Sequence, residues 1–354
     1  MESLSTTWLV VVLLAGAVVT WVAGVSLAKA TDVIDDRYGL GQALGGTILL
    51  GIAGTLPELA ITVSAALSGH LALATGNLLG GIAMQTLVLV ILDATSRRRQ
   101  PLSTLSDALE PLHEGALVVG VVGIAIMGTV LAPTATIGSV SPASIMIVLL
   151  WVLGIIGLSR SRRTRSWKVV NAAVPDTRST TGTDRGSGPS PPEDRVAGRP
   201  IRVTLVLFGL ASIVTLVAGV VLERSGNAMA TRLNVNGAIF GATVLAAITA
   251  LPEISTGVAA VRMGQVGLAM GDIFGGNAIQ VTLFLLADLL AGKAVLPTAS
   301  PESVWLASLG IVVTAIYLNG LMTRPERKIM GIGPDSALVA VAYGLGVLGL
   351  LFLR

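Results

Sequence analysis

The chain contains two stretches that match each other without a gap at a constant offset of 195 residues. The first runs from Gly46 to Gln85 and the second from Gly241 to Gln280. Each stretch is mostly apolar and contains the tripeptide Leu-Pro-Glu. Because both copies keep the same spacing of Gly, Pro, Glu and Gln, we expect two related halves with a site between them.

The composition indicates a polytopic membrane protein. Hydrophobic residues make up 53% of the chain and charged residues only 12%, whereas a soluble domain carries about a quarter charged residues. The absence of Cys excludes disulfides and thiolate metal sites, and two His residues are too few for a multi-His centre. The net charge of +3 is no nucleic-acid signal, because the basic residues lie in loops beside apolar runs. The expected partner is the lipid bilayer, with no nucleic acid and no cofactor.

The apolar runs predict an all-α membrane protein with about ten transmembrane helices. A span needs ~20 apolar residues, and ten runs approach that length. They are Trp8–Ala30, Leu40–Leu67, Leu71–Leu92, Gly115–Leu131, Ala143–Leu158, Ile201–Leu222, Val235–Val261, Val266–Leu290, Val304–Leu318 and Ala337–Leu353.

A hydrophilic segment divides these runs into five and five. We therefore predict a first five-helix repeat over residues 1–158, a linker over residues 159–200 and a second five-helix repeat over residues 201–354. The linker is basic, rich in Gly, Pro, Ser and Thr, and without apolar periodicity. Such a composition favours a flexible tether over a packed domain.

The distribution of basic residues predicts the orientation. Basic clusters follow the third run, at Arg97 to Arg99, and the ninth, at Arg324 to Lys328, and they also fill the linker. The positive-inside rule puts these segments in the cytoplasm and both termini outside, in what we expect is a prokaryotic plasma membrane. Because five is an odd number, the second repeat enters from the opposite face, so the repeats are inverted and can open alternately to either side.

Glu58 and Glu253 are the leading site candidates. A carboxylate deep in a membrane span is costly and is a functional hypothesis by default. Pro57 and Pro252 directly precede these residues and should kink or unwind the helices near the midplane. Carbonyls freed there need a cavity or a ligand, and together with a carboxylate they suit a hard cation such as Ca²⁺. In the plainer interpretation, Leu-Pro-Glu marks a kink whose Glu faces a helix interface.

Gln85 and Gln280 lie 27 residues after the two glutamates. Their amides offer an acceptor for a cation and a donor for a carboxylate, so we expect them to line the site. Hydrogen bonding between helices without ion contact is the alternative. Asn77 and Asp272 follow equivalent glycines and are expected either to cap a helix start or to line the access route.

Small and hydroxyl residues near the two glutamates complete the candidate set. Gly54 lies just before the first Leu-Pro-Glu, and Thr55 and Thr249 offer hydroxyl ligands. Thr62 and Thr256 are weaker candidates, because Thr in a membrane helix often bonds its own backbone.

Asp93 and Asp288 are the aspartates that follow the two glutamines in the matched runs. Each lies eight residues after its glutamine, which is ~12 Å along a helix. We expect both at the solvated membrane boundary, outside the site.

These motifs resemble the calcium/cation antiporter superfamily, whose two inverted five-helix repeats carry signatures of the type GTSLPE followed by GN..GSN. Ala53 to Glu58 and Ile248 to Glu253 occupy the first part, and Gly76 to Gly81 and Gly271 to Gly276 occupy the second. The resemblance covers nearly the whole chain and implies a transporter with Ca²⁺ as cargo and H⁺ or Na⁺ as the counter-ion.

The chain mixes two branches of that superfamily. Gly81 and Gly276 stand where sodium/calcium exchangers carry Ser, and Gln85 and Gln280 stand where they carry Asn or Asp. Glutamine there looks like the proton/calcium branch, whereas the proline before each Glu looks like the sodium branch. With two carboxylates, the centre balances one Ca²⁺ or two protons. The resemblance and this charge count favour an antiporter that exchanges Ca²⁺ or a similar divalent cation for protons by alternating access.

Three other functions are compatible with parts of this pattern. A sodium/calcium antiporter of the same fold is the nearest alternative. An ion channel would need a continuous pore, which inverted repeats with buried Glu do not favour. A membrane-embedded enzyme lacks a Ser-His pair or an HExxH motif, so we expect no enzyme activity.

Overall fold

The protein is all-helical over the residues that its computed structural model describes, which are 1, 4–38, 50–96, 98–106, 109–163 and 200–353. Within these ranges β-type pairing is limited to two isolated bridges, each closing a loop. The α-helices are α1 Thr6–Tyr38, α2 Leu50–Gly54, α3 Leu56–Ser68, α4 Leu71–Thr95, α5 Leu102–Leu105, α6 Leu109–Thr129, α7 Pro142–Arg163, α8 Ile201–Arg232, α9 Gly237–Phe240, α10 Ala246–Thr249, α11 Leu251–Arg262, α12 Val266–Ala291, α13 Pro301–Thr323 and α14 Pro334–Gly349.

The long helices confirm the predicted membrane class. In the described part of the chain, eight helices are long and apolar enough to cross a membrane, and the bent pair Gly237–Thr249 and Leu251–Arg262 makes nine if it is counted as one span. The predicted second span, Leu40–Leu67, is represented by α2 and α3, and its start lies outside the described residues.

Both Leu-Pro-Glu motifs interrupt their helices, as the prolines predict. The chain breaks at Thr55 between α2 and α3, and at Ala250 between α10 and α11, where the bend is 42°. In each case proline falls in the first turn of the new helix, where its missing N–H costs no hydrogen bond. A π-helix, Gly241–Leu245, precedes the second break. Each break therefore starts a fresh helix with its glutamate in the first turn.

The third helices of the two repeats, α4 and α12, run in opposite directions. Asp93, near the end of α4, accepts a hydrogen bond from the N–H of Gly333 just before α14. Asp288, near the end of α12, accepts one from the N–H of Ser141 just before α7. Each third helix thus ends beside a loop of the other repeat. Because α13 crosses the bilayer between the end of α12 and the loop before α14, the two ends lie on opposite faces, and the repeats are inverted.

The expectation that Asp93 and Asp288 are solvated is wrong, because both are fully buried. Asp93 also accepts from the N–H of Leu102 at 3.1 Å and pairs with Lys328 at 3.0 Å. Asp288 accepts from the N–H of Val295 at 2.7 Å. Loop backbone at the helix ends carries N–H groups that need acceptors once buried, and the two aspartates supply them.

The first helices of the repeats, α1 and α8, pack on each other and against the breaks. A β-carbon added to Gly24 of α1 would lie 2.5 Å from Cγ of Pro252. One added to the equivalent Gly219 of α8 would clash with Cβ of Ala60 and lie 3.0 Å from the carbonyl oxygen of Pro57. Small residues permit this close approach of helix backbones, so the α1–α8 pair rests directly on both broken helices.

The predicted linker and repeat boundaries stay predictions. Helix α7 continues to Arg163, past the expected boundary at residue 158. Residues 164–199, which make up most of the linker, lie outside the described residues.

Candidate functional site

Glu58 and Glu253 occupy equivalent places at the starts of α3 and α11, and both are buried, with 1% and 6% exposure. The positive end of a helix dipole stabilises a carboxylate in the first turn. Within the described part of the chain, Oε2 of each glutamate is buried and has no hydrogen-bond partner. Each carboxylate therefore has an oxygen available to a proton or a cation.

Gln85 and Gln280 contact each other across the repeat boundary. Nε2 of Gln85 donates to Oε1 of Gln280 at 3.2 Å and to Oε1 of Glu58 at 3.3 Å. Thr249, from the second repeat, also lies within hydrogen-bonding reach of the Glu58 carboxylate. The structure thus brings together four of the predicted residues, two from each repeat.

Gln280 makes a different set of bonds from its equivalent. Its Nε2 donates to the backbone carbonyls of Leu78 at 2.8 Å and Asn77 at 3.2 Å. These bonds place the amide against Gly81, where an added β-carbon would lie only 2.6 Å from Nε2. Identical sequence positions therefore have unequal environments in this conformation.

The threonines mainly bond their own helices. Thr55 donates to the carbonyl of Ile52 at 3.2 Å, and Thr249 donates to that of Ala246 at 3.3 Å. Thr62 is fully buried, and its hydroxyl has no partner among the described residues. Of these three hydroxyls, that of Thr249 is the one brought to a site carboxylate.

Asp272 lies beside the second glutamate. Oδ2 of Asp272 accepts from the hydroxyl of Thr256 at 3.3 Å, and Thr256 is one turn after Glu253 on α11. The carboxylates of Asp272 and Glu253 interact electrostatically. A β-carbon added to Gly54 would lie 3.8 Å from Oε1 of Glu253 and 3.9 Å from Oδ1 of Asp272, so the glycine borders the space that both oxygens face.

Asn77, the equivalent of Asp272, is in a different setting. It is fully buried and its side-chain atoms have no partners among the described residues, whereas Asp272 is partly exposed. Asp272 therefore places a third carboxylate, from the second repeat, beside the two glutamates that the sequence analysis counted. In the described part of the chain, no group of three or more His, Cys, Asp or Glu is close enough to hold a metal ion, so the three carboxylates do not form a closed ligand shell in this conformation.

A second buried polar cluster, which the sequence analysis did not predict, lies between α8 and the α3–α4 turn. Glu223 of α8 is fully buried and pairs with Nδ1 of His70 at 2.6 Å. Its other oxygen accepts from the hydroxyl of Ser64 at 2.7 Å, and Asn227 contacts Nε2 of His70 at 3.1 Å. In the sequence, Glu223 directly follows the apolar run that ends at Leu222. Only the continuation of α8 beyond that run keeps this carboxylate inside the helix bundle.

Comparison with known proteins identifies the family. Residues 8–137 and 203–352 match the family described as sodium/calcium exchanger protein. The chain belongs to this family. It is 26% identical over 305 residues to the inner membrane protein YrbG of Escherichia coli (strain K12), and the match covers 86% of each chain.

Solved structures of exchangers show the same fold. The H⁺/Ca²⁺ exchanger CAX matches with a TM-score of 0.68 and 14% identity, over 98% of this chain and 82% of that one. The sodium-calcium exchanger NCX_Mj matches with a TM-score of 0.59 and 15% identity, over 98% of this chain and 99% of that one. The protein is therefore an integral membrane cation transporter of the exchanger family, as the resemblance of its motifs implied, and its fold is that of transporters.

Proposed function

We propose that the protein is an antiporter that exchanges Ca²⁺, or a similar divalent cation, for protons by alternating access. Glu58 and Glu253 form the shared cation and proton site. The observation that supports this proposal is the presence of two interacting buried carboxylates, each with an unpartnered oxygen among the described residues. The first of them, Glu58, is bonded to the amide of Gln85, which in turn bonds Gln280.

The charges at the centre support proton coupling. Two ionised glutamates balance one divalent cation, and two protonated glutamates need none. Leaving either carboxylate charged and empty is costly in a buried setting, so release of the cation favours uptake of protons. The amide of Gln85, which carries no charge in either state, bonds Glu58 without altering this charge balance.

A sodium/calcium antiporter is the second candidate, and Asp272 is the observation that favours it. Its carboxylate interacts with that of Glu253, and a third negative charge, with the Thr249 hydroxyl nearby, suits monovalent cations bound together with Ca²⁺. Asn77 would complete such a set on the opposite half. The relatives named above include both an H⁺-coupled and a Na⁺-coupled exchanger by their descriptions.

The proposed orientation follows the distribution of basic residues. Both termini face outside, the linker over residues 159–200 is cytoplasmic, and the membrane is a prokaryotic plasma membrane. Asp272, near the start of α12, then lies on the cytoplasmic half, and Asn77, near the start of α4, lies on the outer half.

The test is ⁴⁵Ca²⁺ uptake into proteoliposomes with a pH gradient or a Na⁺ gradient imposed separately. Uptake driven by the proton gradient alone is the expected result. Uptake only with Na⁺ would replace proton coupling with sodium coupling. If neither gradient drives uptake, Ca²⁺ exchange is excluded. The same assay is then required with Mn²⁺ and Mg²⁺, which carboxylate and carbonyl oxygens also suit.

A further inference from the structure

The two amides at the centre have unequal bonds although their sequence positions are equivalent. A glutamine amide has two N–H donors. Those of Gln85 go to Glu58 and to Gln280, and those of Gln280 go to the carbonyls of Leu78 and Asn77. Because both donors of Gln280 are used on α4, this amide has none left for Glu253, and the bond that Gln85 gives to Glu58 has no counterpart in the second repeat.

The spaces beside the two equivalent glycines, Gly81 and Gly276, also differ. The space at Gly81 is filled by Nε2 of Gln280, 2.6 Å from where a β-carbon would stand. At the equivalent Gly276, no atom of the described residues outside its own helix turns lies within 4 Å of that point, although Gly276 is buried. One of two equivalent interior spaces is thus filled by an amide, and the other is open as far as the described residues line it.

We infer that the hydrogen bonds of Gln85 and Gln280 exchange between the repeats during transport, and that Gly276 provides the space into which the Gln85 amide moves. In the second state, Gln280 donates to Glu253 and to Gln85, and Gln85 donates to the carbonyls of Ile273 and Asp272, which are the equivalents of Leu78 and Asn77. This inference rests on the proposed alternating access, in which inverted repeats exchange conformations.

The exchange of hydrogen bonds makes the two amides change together. Each amide nitrogen carries two hydrogens, so an amide that donates both to carbonyls of the opposite helix cannot also donate to a glutamate. Only the other amide can do so in that state. Gly276 and Gly81 are therefore positioning residues, since each leaves room for the amide of the other repeat and has no side chain that could bind a cation.

The experiment uses Gly276→Ala and the matched variant Gly81→Ala in the full chain. An alanine at 276 fits the present state and blocks the second, so we expect the exchange rate to fall about ten- to hundredfold from overpacking, with equilibrium ⁴⁵Ca²⁺ binding retained. An alanine at 81 displaces Nε2 of Gln280, the mobile end of a flexible side chain, and should favour the second state.

The state of each variant is read without transport. The chain contains no Cys, so a single engineered thiol reports access through labelling with a membrane-impermeant reagent. One background carries Thr256→Cys, at a partly exposed position, and the other carries Ile61→Cys, at the equivalent and fully buried position. Gly276→Ala should keep labelling high at position 256 and low at position 61. Gly81→Ala should shift both in the opposite direction.

The outcomes of the glycine variants are distinct from those of the uptake assay that tests Ca²⁺ as the transported ion. Unchanged exchange in Gly276→Ala, a parallel loss of cation binding, or the same labelling shift in both variants would overturn the inference. A double-mutant cycle adds a check, because Gly276→Ala should cost nothing further once Gln85→Ala has removed the amide. Failure of the wild-type chain to transport Ca²⁺ would overturn the proposed function while leaving the labelling comparison interpretable.

Discussion

Nε2 of Gln85 donates a hydrogen bond to Oε1 of Gln280 at 3.2 Å, so that equivalent residues of the two repeats touch at the centre of the protein. Each glutamine lies on a third helix, and the third helices α4 and α12 run antiparallel. The pseudo-twofold axis that relates the two repeats therefore passes through the amide pair. Glu58 is hydrogen-bonded to this pair directly, which links the first carboxylate to the second repeat.

Replacing Glu58 or Glu253 by Gln should abolish exchange. Each variant removes one of the two charges that balance a divalent cation, and a loss of at least about 100-fold is expected for a charged ligand worth about 3 kcal/mol. The measurement is gradient-driven ⁴⁵Ca²⁺ uptake in proteoliposomes. Glu326→Gln, which alters an exposed carboxylate, is the matched control and should be unaffected. Normal uptake by Glu58→Gln would remove this residue from the site.

Replacing Asp272 by Asn should weaken cation capture from one side only. Asp272 is partly exposed and interacts with Glu253, whereas its equivalent Asn77 is neutral and buried. We expect KM for Ca²⁺ to rise about tenfold, equal to about 1.4 kcal/mol, on the face where α12 begins. Uptake into right-side-out and inside-out vesicles distinguishes the faces, and an equal effect on both would contradict the prediction. Asn77→Asp should lower KM on the other face.

Replacing Lys328 by Ala should destabilise the fold. The ammonium of Lys328 lies 3.0 Å from the fully buried carboxylate of Asp93, and removing one partner of a buried pair costs about 3–5 kcal/mol. Thermal unfolding in detergent measures the loss. Lys293→Ala, at an exposed loop position, is the control. The double variant Lys328→Ala with Asp93→Asn should recover part of the stability, and failure to do so would show that the lysine acts through its hydrogen bonds to the carbonyls of Asp93 and Ser96 instead of through the carboxylate.

Replacing His70 by Ala should loosen α8 from the α3–α4 turn. Glu223 would keep its bond from Ser64 and lose the 2.6 Å contact with His70. The free energy of unfolding should fall by about 1–3 kcal/mol, because a buried acceptor oxygen loses its partner. Gln265→Ala is the matched control. Gln265 is the repeat equivalent of His70, and the repeat equivalent of Glu223 is Ala28, which has no carboxylate. Equal changes in unfolding temperature for both variants would contradict a specific role of the His70–Glu223 pair.

The sequence by itself determined the membrane class, the duplication and the two helix breaks. Composition, a gapless match and a proline before each glutamate all act through local physics, since apolar length, helix hydrogen bonding and the cost of a buried charge depend on near neighbours in the chain. The pairing of Gly24 with Pro252, and of Gly219 with Pro57, then follows the same repeat in three dimensions.

The tertiary structure alone decided which equivalent residues differ. Asp93 and Asp288 looked like boundary residues because their distance along the helix placed them near the helix ends, and only the loops folded over them make them buried acceptors. The contact of Asp272 with the second half of the site, and the unequal bonds of Gln85 and Gln280, depend on distances between helices. A repeat in sequence specifies equal chemistry at equivalent positions, whereas a single conformation of an alternating fold places those positions in unequal surroundings.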